Sequence, residues 1–272
     1  MNSISQLASI RIIMIGTTLP ANIGSAARAM HTMGLSDLVV VNPRLPIDDT
    51  SIANAAGATS VLDSARIVND LNEALSDCHL VFAASARVRH MPRPVITPNM
   101  AAELMMNFYQ AHNNPDEQTT PKIAILFGRE DRGLTNDELS LADYHIQIPA
   151  NPEYPVLNVA AAIQVIGAFI YDALSNNASK SEDNSPQTHQ IDLNIRQDWD
   201  EPAITHAQQR SLNSSLIDLL VKLNLADDQD LKHLPTRLSR LTSRVQLDQK
   251  EFALLRALIA KIHVKISQNR PH

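Results

Sequence analysis

Short runs of apolar and β-branched residues alternate with segments of helical hydrophobic spacing over the first 175 residues of the chain. The apolar runs are almost continuous, which is typical of strands in a parallel sheet that is covered on both faces. We expect strands at residues 11–16, 38–41, 80–85, 123–127 and 144–149. Helices are expected between them, at residues 23–33, 51–56, 70–77 and 100–110. This alternation predicts an α/β fold with a mostly parallel sheet.

The most apolar helix candidate spans residues 156–174, where only Asn158, Gln164, Tyr171 and Asp172 interrupt apolar or small side chains. A helix that is apolar all round must be buried on more than one side. The rest of its own domain can cover one side. The other side is covered either by a second copy of the chain or by the interior of the same subunit, and the pattern leaves both open.

The chain becomes strongly polar after residue 175, with a composition typical of a linker. We therefore predict an α/β domain at residues 1–175, a flexible linker at 176–202 and a small all-α C-terminal extension at 203–272. Helical patterns in the extension lie near residues 204–224, 235–244 and 248–267. The last of these patterns has apolar residues at steps of three and four: Phe252, Leu255, Ile259, Ile262 and Ile266.

The net charge of −6 is unevenly divided. From Ala203 onward there are 11 Lys and Arg against 6 Asp and Glu, a net of +5, whereas the remainder has 12 basic and 23 acidic residues, a net of −11. A basic module on an acidic body favours local contact with a polyanion such as RNA. The alternative is that the extension binds the acidic body through its charge.

Several classes of protein are disfavoured by what the sequence lacks. No apolar run reaches the roughly 18–20 residues of a membrane span, and the first ten residues do not resemble a signal peptide. A single cysteine, Cys78, cannot form an internal disulfide, and the ten His are scattered, so no metal site is expected. Dinucleotide and P-loop motifs are absent. We expect a cytoplasmic protein without membrane contact.

The loop after the first strand is the first candidate site. Asn22 is a suitable N-cap, and Gly24 with the small residues that follow keeps the first helical turn slim. The start of a helix offers free N–H groups to an anion. Arg28 lies on the next turn, where its guanidinium could hold a phosphate or orient a hydroxyl. The alternative is an ordinary helical Arg that extends into solvent.

The second candidate site, residues 127–136, contains two of only seven glycines in the chain. Gly128 would let a ligand approach the main chain, Gly133 suits a positive φ, and Thr135 with Glu138 predicts a capping box. Four charged residues lie between the two glycines, which favours a binding site over a solvated connection, although both remain open.

The third candidate site, residues 146–159, is stiffened by three prolines and precedes the apolar helix. Its main-chain groups suit a neutral ligand edge, and Asn158 either bridges such groups or is a buried, satisfied amide. All three loops follow strands, so they can meet at the carboxyl edge of one sheet, where open α/β folds bind ligands.

In this order, the three loops resemble the signature motifs of the SPOUT (SpoU–TrmD) methyltransferases. The first resembles N-x-G-x-x-x-R, the second F-G-x-E-x-x-G-L, and the third N-P-x-x-x-x-L-N-x-A. The matching residues are Asn22, Gly24 and Arg28; Phe127, Gly128, Glu130, Gly133 and Leu134; and Asn151, Pro152, Leu157, Asn158 and Ala160. Two departures occur within the family pattern: Ala84 replaces a usual Thr, and Val156 replaces a usual Ser.

The resemblance implies a deep trefoil knot at the C-terminal end of the α/β domain, a homodimer, and S-adenosyl-L-methionine as cofactor. It implies Arg28 as the catalytic residue. The implied cofactor-binding residues are Ala84, Ser85, Ala86, Gly128, Ile148, Pro155, Val156 and Leu157. The implied substrate or RNA contacts are Asn22, Arg87, Arg89, Glu130 and Asn158. No metal is implied.

An N-terminal catalytic domain with a helical extension resembles the subfamily that methylates the ribose 2′-hydroxyl of nucleotide 32 in the tRNA anticodon loop. Methylation of another tRNA or rRNA position, and a non-catalytic RNA-binding paralogue, are the alternatives. For RNA, we expect contacts from the cluster Arg87, Arg89 and Arg93, and from Arg237, Arg240 and Arg244, which share one helical face. A merely solvated face would show the same spacing.

Overall fold

The computed structural model describes residues 3–86, 93–113, 120–179 and 199–268, and it contains two compact units. The first unit is built around a seven-stranded sheet in the order β3-β2-β1-β6-β4-β7-β5. Its strands are β1 Ile10–Ile15, β2 Asp37–Val41, β3 Arg66–Val68, β4 Leu80–Ala84, β5 Val95–Ile96, β6 Ile123–Phe127 and β7 Tyr144–Ile146. Its helices are α1 Ser3–Ala8, α2 Pro20–Thr32, α3 Asp49–Ala55, α4 Thr59–Asp63, α5 Leu71–Leu75, α6 Pro98–His112, α7 Asn136–Ser140 and α8 Val159–Ser179.

All strand pairs in this sheet are parallel. Strands β1, β6, β4 and β7 are neighbours in that order. The loops that follow these four strands therefore leave from one edge of the sheet and lie beside one another. The prediction of an α/β fold with a mostly parallel sheet is confirmed, whereas the trefoil knot stays a prediction.

Both faces of the sheet are covered, as the continuous apolar runs predict. On one face, alternate strand residues such as Ile13, Val81 and Leu126 form a core with Leu75 of α5 and Leu139 of α7. On the other face, α2 and α6 both pack against α8. The five predicted strands are all present: residues 123–127 match without a shift, and the ends of the other four differ by at most three residues.

The largest corrections concern short elements and helix ends. Strands β3 and β5 were not predicted from the sequence because they have three and two residues and are partly exposed. Helix α2 begins at Pro20 rather than at residue 23, since proline suits the first helical turn. Helix α8 continues to Ser179, beyond the predicted domain end at 175. Of the predicted linker, residues 180–198 lie outside the described residues.

The second unit contains three helices in its described part, α9 His206–Lys222, α10 Leu234–Val245 and α11 Gln249–Gln268. They enclose a core of their own, formed by Ile204, Leu212, Leu219, Leu247 and Ile259. The predicted apolar stripe of α11 packs into this core: Phe252, Leu255, Ile259, Ile262 and Ile266. In the described ranges, no helix combines the length and the apolarity that a membrane crossing requires.

A buried arginine links three elements of the first unit. The side chain of Arg11 on β1 is 3% exposed, and its Nε donates to Asp37 at 3.0 Å. Its Nη1 donates to Asp77 at 2.6 Å and to the carbonyl oxygen of Ala74 at 2.8 Å. Burial opposes ionisation of the Asp77 carboxyl, but the hydrogen bond and charge of Arg11 outweigh it, so the pKa of Asp77 is lowered. The guanidinium thereby holds the strands β1 and β2 to the end of α5.

We predict that Arg11→Met destabilises the first unit by about 1–3 kcal/mol, because Asp77 and the carbonyl oxygen of Ala74 lose their charged donor while Asp37 keeps Lys122 at 3.3 Å. Urea unfolding at pH 7 measures this. The matched control is Arg66→Met, since Arg66 is 48% exposed and lies 3.8 Å from the same Asp37. The control is expected to cost less than about 1 kcal/mol. Equal losses in the two variants would show that burial of the Arg11 pair has no special weight.

Candidate active site

A cavity lies at the carboxyl edge of the sheet, where the loops after β4, β6 and β7 meet. Its walls come from residues 84–86 and 127–134, from Ile146 and Ile148, and from residues 155–157 with Val159 and Ala162. The structure brings together here all of the residues predicted to bind a cofactor: Ala84, Ser85, Ala86, Gly128, Ile148, Pro155, Val156 and Leu157. Residues that are more than 70 positions apart in the sequence thus form one site.

The shape of the loop after β6 depends on Gly128. A Cβ atom at this position would lie 2.2 Å from both the carbonyl carbon of Gly133 and the amide nitrogen of Leu134. The predicted reason for this glycine was close approach of a ligand; the structure shows that the loop's own main chain already requires it. Gly133 has the expected positive φ, +70°. A hydrogen bond of 2.8 Å from the N–H of Gly133 to the carbonyl oxygen of Arg129 closes the loop.

Helix α7 holds the same loop through an ion pair. The Nη1 of Arg129 lies 2.9 Å from the Oε1 of Glu138, and both side chains are largely buried. Glu138 also accepts from the N–H of Thr135, which completes the predicted capping box. The guanidinium of Arg129 crosses over Gly16 at the end of β1, where a Cβ atom would lie 2.7 Å from its Nε. Sequence reasoning missed Arg129, since only its place among the charged loop residues distinguished it.

Glu130 joins the first candidate loop to the second. Its Oε1 accepts from the Nδ2 of Asn22 at 2.7 Å, and its Oε2 accepts from the N–H and Oγ1 of Thr18 at 3.1 and 2.8 Å. Partial burial alone would raise the pKa of Glu130, but these bonds, that of Asn22 above all, lower it. Glu130 is therefore an ionised side chain at neutral pH that ties the start of α2 to the cavity.

The interpretation of Asn22 as an N-cap is wrong, because the helix starts two residues earlier and Leu19 occupies the capping position. The side chain of Asn22 is instead committed to Glu130. Gly24 has a packing role: a Cβ atom there would lie 2.0 Å from the carbonyl oxygen of Ser51 on α3. Helices α2 and α3 therefore approach each other at main-chain distance, and Gly24 makes this possible.

Arg28 lies on α2, beyond the turn that contains Asn22, and its side chain is exposed. Its guanidinium makes no hydrogen bond or ion pair with any residue that the structure describes. This distinguishes it from Arg11 and Arg129, whose guanidinium groups are bound by carboxylates. Arg28 is thus a cation whose donors remain available to a ligand.

The third loop is held by its own turn and by the start of α8. The N–H of Tyr154 donates to the carbonyl oxygen of Asn151 at 2.9 Å. Asn158 is exposed rather than buried, and its Oδ1 accepts from the N–H of Ala160 at 2.9 Å, as an N-cap of α8 does. Val156, in place of the family's usual Ser, lines the cavity with an apolar side chain.

Of the three clustered arginines predicted to contact RNA, the structure describes only Arg93. Arg87 and Arg89 lie outside the described residues. Arg93 is 7% exposed, and its Nη2 donates to the carbonyl oxygen of Ser140 at 2.9 Å. The prediction that Arg93 contacts a phosphate is therefore wrong, because its side chain is buried against the end of α7. No group of His, Cys, Asp or Glu side chains suited to a metal ion occurs in the described ranges.

The lining of the cavity contains both apolar and charged side chains. Leu134, Ile146, Ile148, Val156 and Leu157 give it apolar walls. Charged residues line it as well, namely Arg129, Glu130, Asp131 and Arg132. A ligand that suits this lining has an apolar part and a charged part.

Comparison with known proteins gives consistent matches over most of the chain. Residues 9–168 match the SpoU rRNA methylase family. The tRNA (cytidine/uridine/adenosine-2′-O-)-methyltransferase TrmJ of Pseudomonas aeruginosa (strain UCBPP-PA14) is 36% identical over 258 residues, which is 94% of each chain. The tRNA (cytidine/uridine-2′-O-)-methyltransferase TrmJ of Salmonella typhimurium is 36% identical over 94% of this chain and 97% of that protein. The crystal structure of TrmJ from Z. mobilis ZM4 matches with a TM-score of 0.72 and 28% identity, over 93% of this chain and 98% of that chain.

We predict that Glu130→Gln frees the loop at Thr18, since a Gln amide would place its own donor against those of Thr18 and Asn22. Hydrogen–deuterium exchange of peptides covering residues 15–25 should become roughly tenfold faster, the effect of losing one hydrogen bond to a charged group. The control Asp131→Asn removes a neighbouring carboxylate that pairs with Arg132 instead, and exchange should not change.

Protection of the Thr18 loop from exchange should decrease as the pH falls. Because folding lowers the pKa of Glu130, the stabilisation that its carboxylate gives to the Thr18 loop is complete above the ordinary Glu pKa of about 4.3. It is lost as the pH falls through the lowered folded value. Protection at Thr18 that is the same in wild type and Glu130→Gln at neutral pH would contradict the proposed tie.

Proposed function

The chain belongs to the SpoU rRNA methylase family, and from this premise we propose that it transfers the methyl group of S-adenosyl-L-methionine to a ribose 2′-hydroxyl of transfer RNA. The observation that carries the proposal is that the second and third motif loops meet residues 84–86 at one cavity. The first motif loop does not line this cavity but is bound to it through Glu130, which accepts hydrogen bonds from Asn22 and Thr18. The relatives named tRNA 2′-O-methyltransferases support it, because their similarity extends over both units of the chain. The resemblance to their subfamily favours nucleotide 32 of the anticodon loop as the target.

The lining of the cavity fits this methyl donor. S-adenosyl-L-methionine has an adenosine moiety, which suits apolar walls such as Ile148 and Leu157, and positive charge on its sulfonium and amino groups. The ionised carboxylate of Glu130 and that of Asp131 supply negative charge at the same cavity. When bound there, the donor would supply a methyl group that passes from its sulfonium to the ribose oxygen; the bonding pair would stay on sulfur as the thioether forms, and the hydroxyl proton would pass to solvent water.

Arg28 is proposed to hold the accepting hydroxyl in place. A guanidinium remains protonated at neutral pH and is a poor base, but its fixed donors can bind a ribose oxygen and the neighbouring phosphate together. Placing the reacting groups in line can supply a large part of the rate, up to roughly 7–11 kcal/mol in intramolecular reactions. Main-chain positions near Arg28 are fixed by the contact of Gly24 with α3 and by the bond of Asn22 to Glu130.

A homodimer is proposed from the exposed side of α8. This helix packs on α2 and α6, yet Phe169 and Tyr171 are 39% and 51% exposed. The apolar character all round the helix predicts that this side is covered as well. A second copy of the chain would remove these aromatic side chains from water.

The basic C-terminal unit is proposed to contact the tRNA backbone. On α10, Arg237 and Arg244 are exposed, and Arg240 is half-buried with an Nε that makes no hydrogen bond in the described part of the chain. Leu241 and Val245 are also exposed on this helix. This surface is suited to phosphate groups, which would make the affinity for RNA depend on salt.

The direct test is incubation of the purified protein with methyl-labelled S-adenosyl-L-methionine and unmodified tRNA. Label that resists alkali as a 2′-O-methylated dinucleotide supports the proposal and maps the position. Label on a base, or incorporation into rRNA only, would replace the substrate. If no label is incorporated, the protein would instead be a non-catalytic paralogue that only binds RNA. The presence of the motif residues Arg28, Glu130 and Asn158 argues against that alternative.

We predict that Arg28→Ala lowers the turnover number by about 100-fold or more, the loss expected when the reacting oxygen is no longer held in line with the methyl donor. The dissociation constant for S-adenosyl-L-methionine should be unchanged, since Arg28 is absent from the cavity lining. The control Arg66→Ala removes another exposed arginine and should leave turnover within about twofold. Wild-type turnover of Arg28→Ala would refute the role.

A further prediction concerns the salt dependence of tRNA binding. Replacing Arg237, Arg240 and Arg244 together by Gln should reduce the slope of log K against log salt by roughly 2–3, at about 0.7–0.9 per lost phosphate contact. The control is Lys232→Gln with Lys250→Gln, because those ammonium groups already pair with Asp230 and Glu201. A slope that is unaffected by the arginine changes would exclude this surface from RNA binding.

A further inference from the structure

Tyr154, in the turn before α8, is the most exposed of the large hydrophobic side chains that the structure describes. It is 81% exposed, compared with 52% for Val156 and 38% for Leu157 on the same loop. Aromatic residues make up only 4% of this chain. An aromatic ring in water contributes nothing to the core, so its display at this position needs a cause outside the folding of the chain.

The turn that presents the ring is rigid. The N–H of Tyr154 donates to the carbonyl oxygen of Asn151 at 2.9 Å, and the N–H of Glu153 donates to the Oδ1 of Asn151 at 3.0 Å. Pro152 and Pro155 restrict the main chain on either side. A ligand that contacts the ring would therefore not have to order the loop first, which lowers the entropic cost of binding.

Tyr154 directly precedes part of the cavity lining in the sequence. The three residues that follow it, Pro155, Val156 and Leu157, all line that cavity. If the ribose of the target nucleotide reaches the methyl donor there, the nucleotides next to it must pass over the surrounding surface. Because Tyr154 is exposed and is next in sequence to the lining residue Pro155, its ring belongs to that surrounding surface.

We propose that Tyr154 stacks on a nucleobase of the RNA adjacent to the methylated nucleotide. The proposal rests on the proposed function for the identity of the substrate. Proteins recognise unpaired RNA bases by stacking them on aromatic side chains, and the phenol hydroxyl can remain in water. This assigns to the third motif loop a substrate contact in addition to its place in the cofactor cavity.

A nucleobase fits this surface better than a second copy of the chain. The residues before Tyr154 in the turn, from Ala150 to Glu153, are exposed and contain no large apolar side chain. A subunit interface buries on the order of 800 Å² on each partner and has an apolar centre. The exposed apolar residues after it, Val156 and Leu157, line the cavity. Outside the cavity lining the turn therefore presents one aromatic ring, which matches the area of one base.

The test compares Tyr154→Leu, which removes the π-face but keeps an apolar side chain, with Tyr154→Phe, which keeps the ring. In the full-length protein, Tyr154→Leu should raise the dissociation constant for unmodified tRNA about 5- to 150-fold, the range for loss of one stacked base. Tyr154→Phe should stay within about twofold of wild type. The dissociation constant for S-adenosyl-L-methionine and the sedimentation coefficient should be the same in all three proteins.

A second arm identifies the base. Anticodon stem-loop RNAs with an abasic site on either side of the target nucleotide are bound to wild type and to Tyr154→Leu. One abasic site should weaken binding to wild type and have little further effect on Tyr154→Leu, because the two changes remove the same contact. The proposal would be overturned if each abasic site weakened binding to wild type and to Tyr154→Leu by the same factor.

Three other results would overturn it: wild-type RNA affinity of Tyr154→Leu, equal weakening by Phe and Leu, or a change confined to donor binding or to the oligomeric state. Failure of the proposed function is separately visible. Wild-type protein that binds the stem-loop but transfers no methyl group would reject the enzymatic activity while the binding cycle still reports on Tyr154. Wild-type protein that binds no RNA would reject both.

Discussion

The cavity depends on main-chain contacts that only glycine permits. At Gly128, the loop after β6 folds back so closely that a Cβ atom would lie 2.2 Å from the main chain at Gly133 and Leu134. At Gly24, the same constraint brings α2 against the carbonyl oxygen of Ser51. Both glycines belong to signature motifs, and both serve contacts within the protein. The motif glycines therefore specify the shape of the site before any ligand is present.

Charged side chains then fix the loops that these contacts bring together. Arg129 is bound by Glu138 of α7, and Glu130 binds Thr18 and Asn22 at the start of α2. Each pair joins two different loops or elements, so the cavity wall and the helix that carries Arg28 cannot shift independently. Hydrogen bonds to an ionised group are stronger than neutral ones. The low pKa of Glu130 thus keeps this connection intact at the pH at which the proposed reaction proceeds.

Much of the fold could be predicted because burial on both faces of a parallel sheet leaves a periodic trace in the sequence. The same reasoning could not place β3 or β5, whose few residues are partly exposed. It also assigned Asn22 to a helix cap from local spacing, although the side chain binds Glu130, 108 positions away. The motifs identified which loops form the site, and the sheet order explains why they meet. Pairings between distant side chains leave no local signal, so Arg129 and Thr18 were missed.

The arginines of the first unit show why burial, rather than residue type, decides function. Arg11 and Arg93 are 3% and 7% exposed; Arg11 donates to two carboxylates, and the Nη2 of Arg93 donates to a carbonyl oxygen. A buried guanidinium without such partners would be costly, so these two residues are committed to the fold. Arg28 is exposed, so its charge needs no partner inside the protein. Because water solvates an exposed charge, the fold loses little when the donors of Arg28 have no partner among the described residues. A bidentate oxygen ligand such as phosphate can then replace that water, which is the exchange that a substrate-orienting arginine requires.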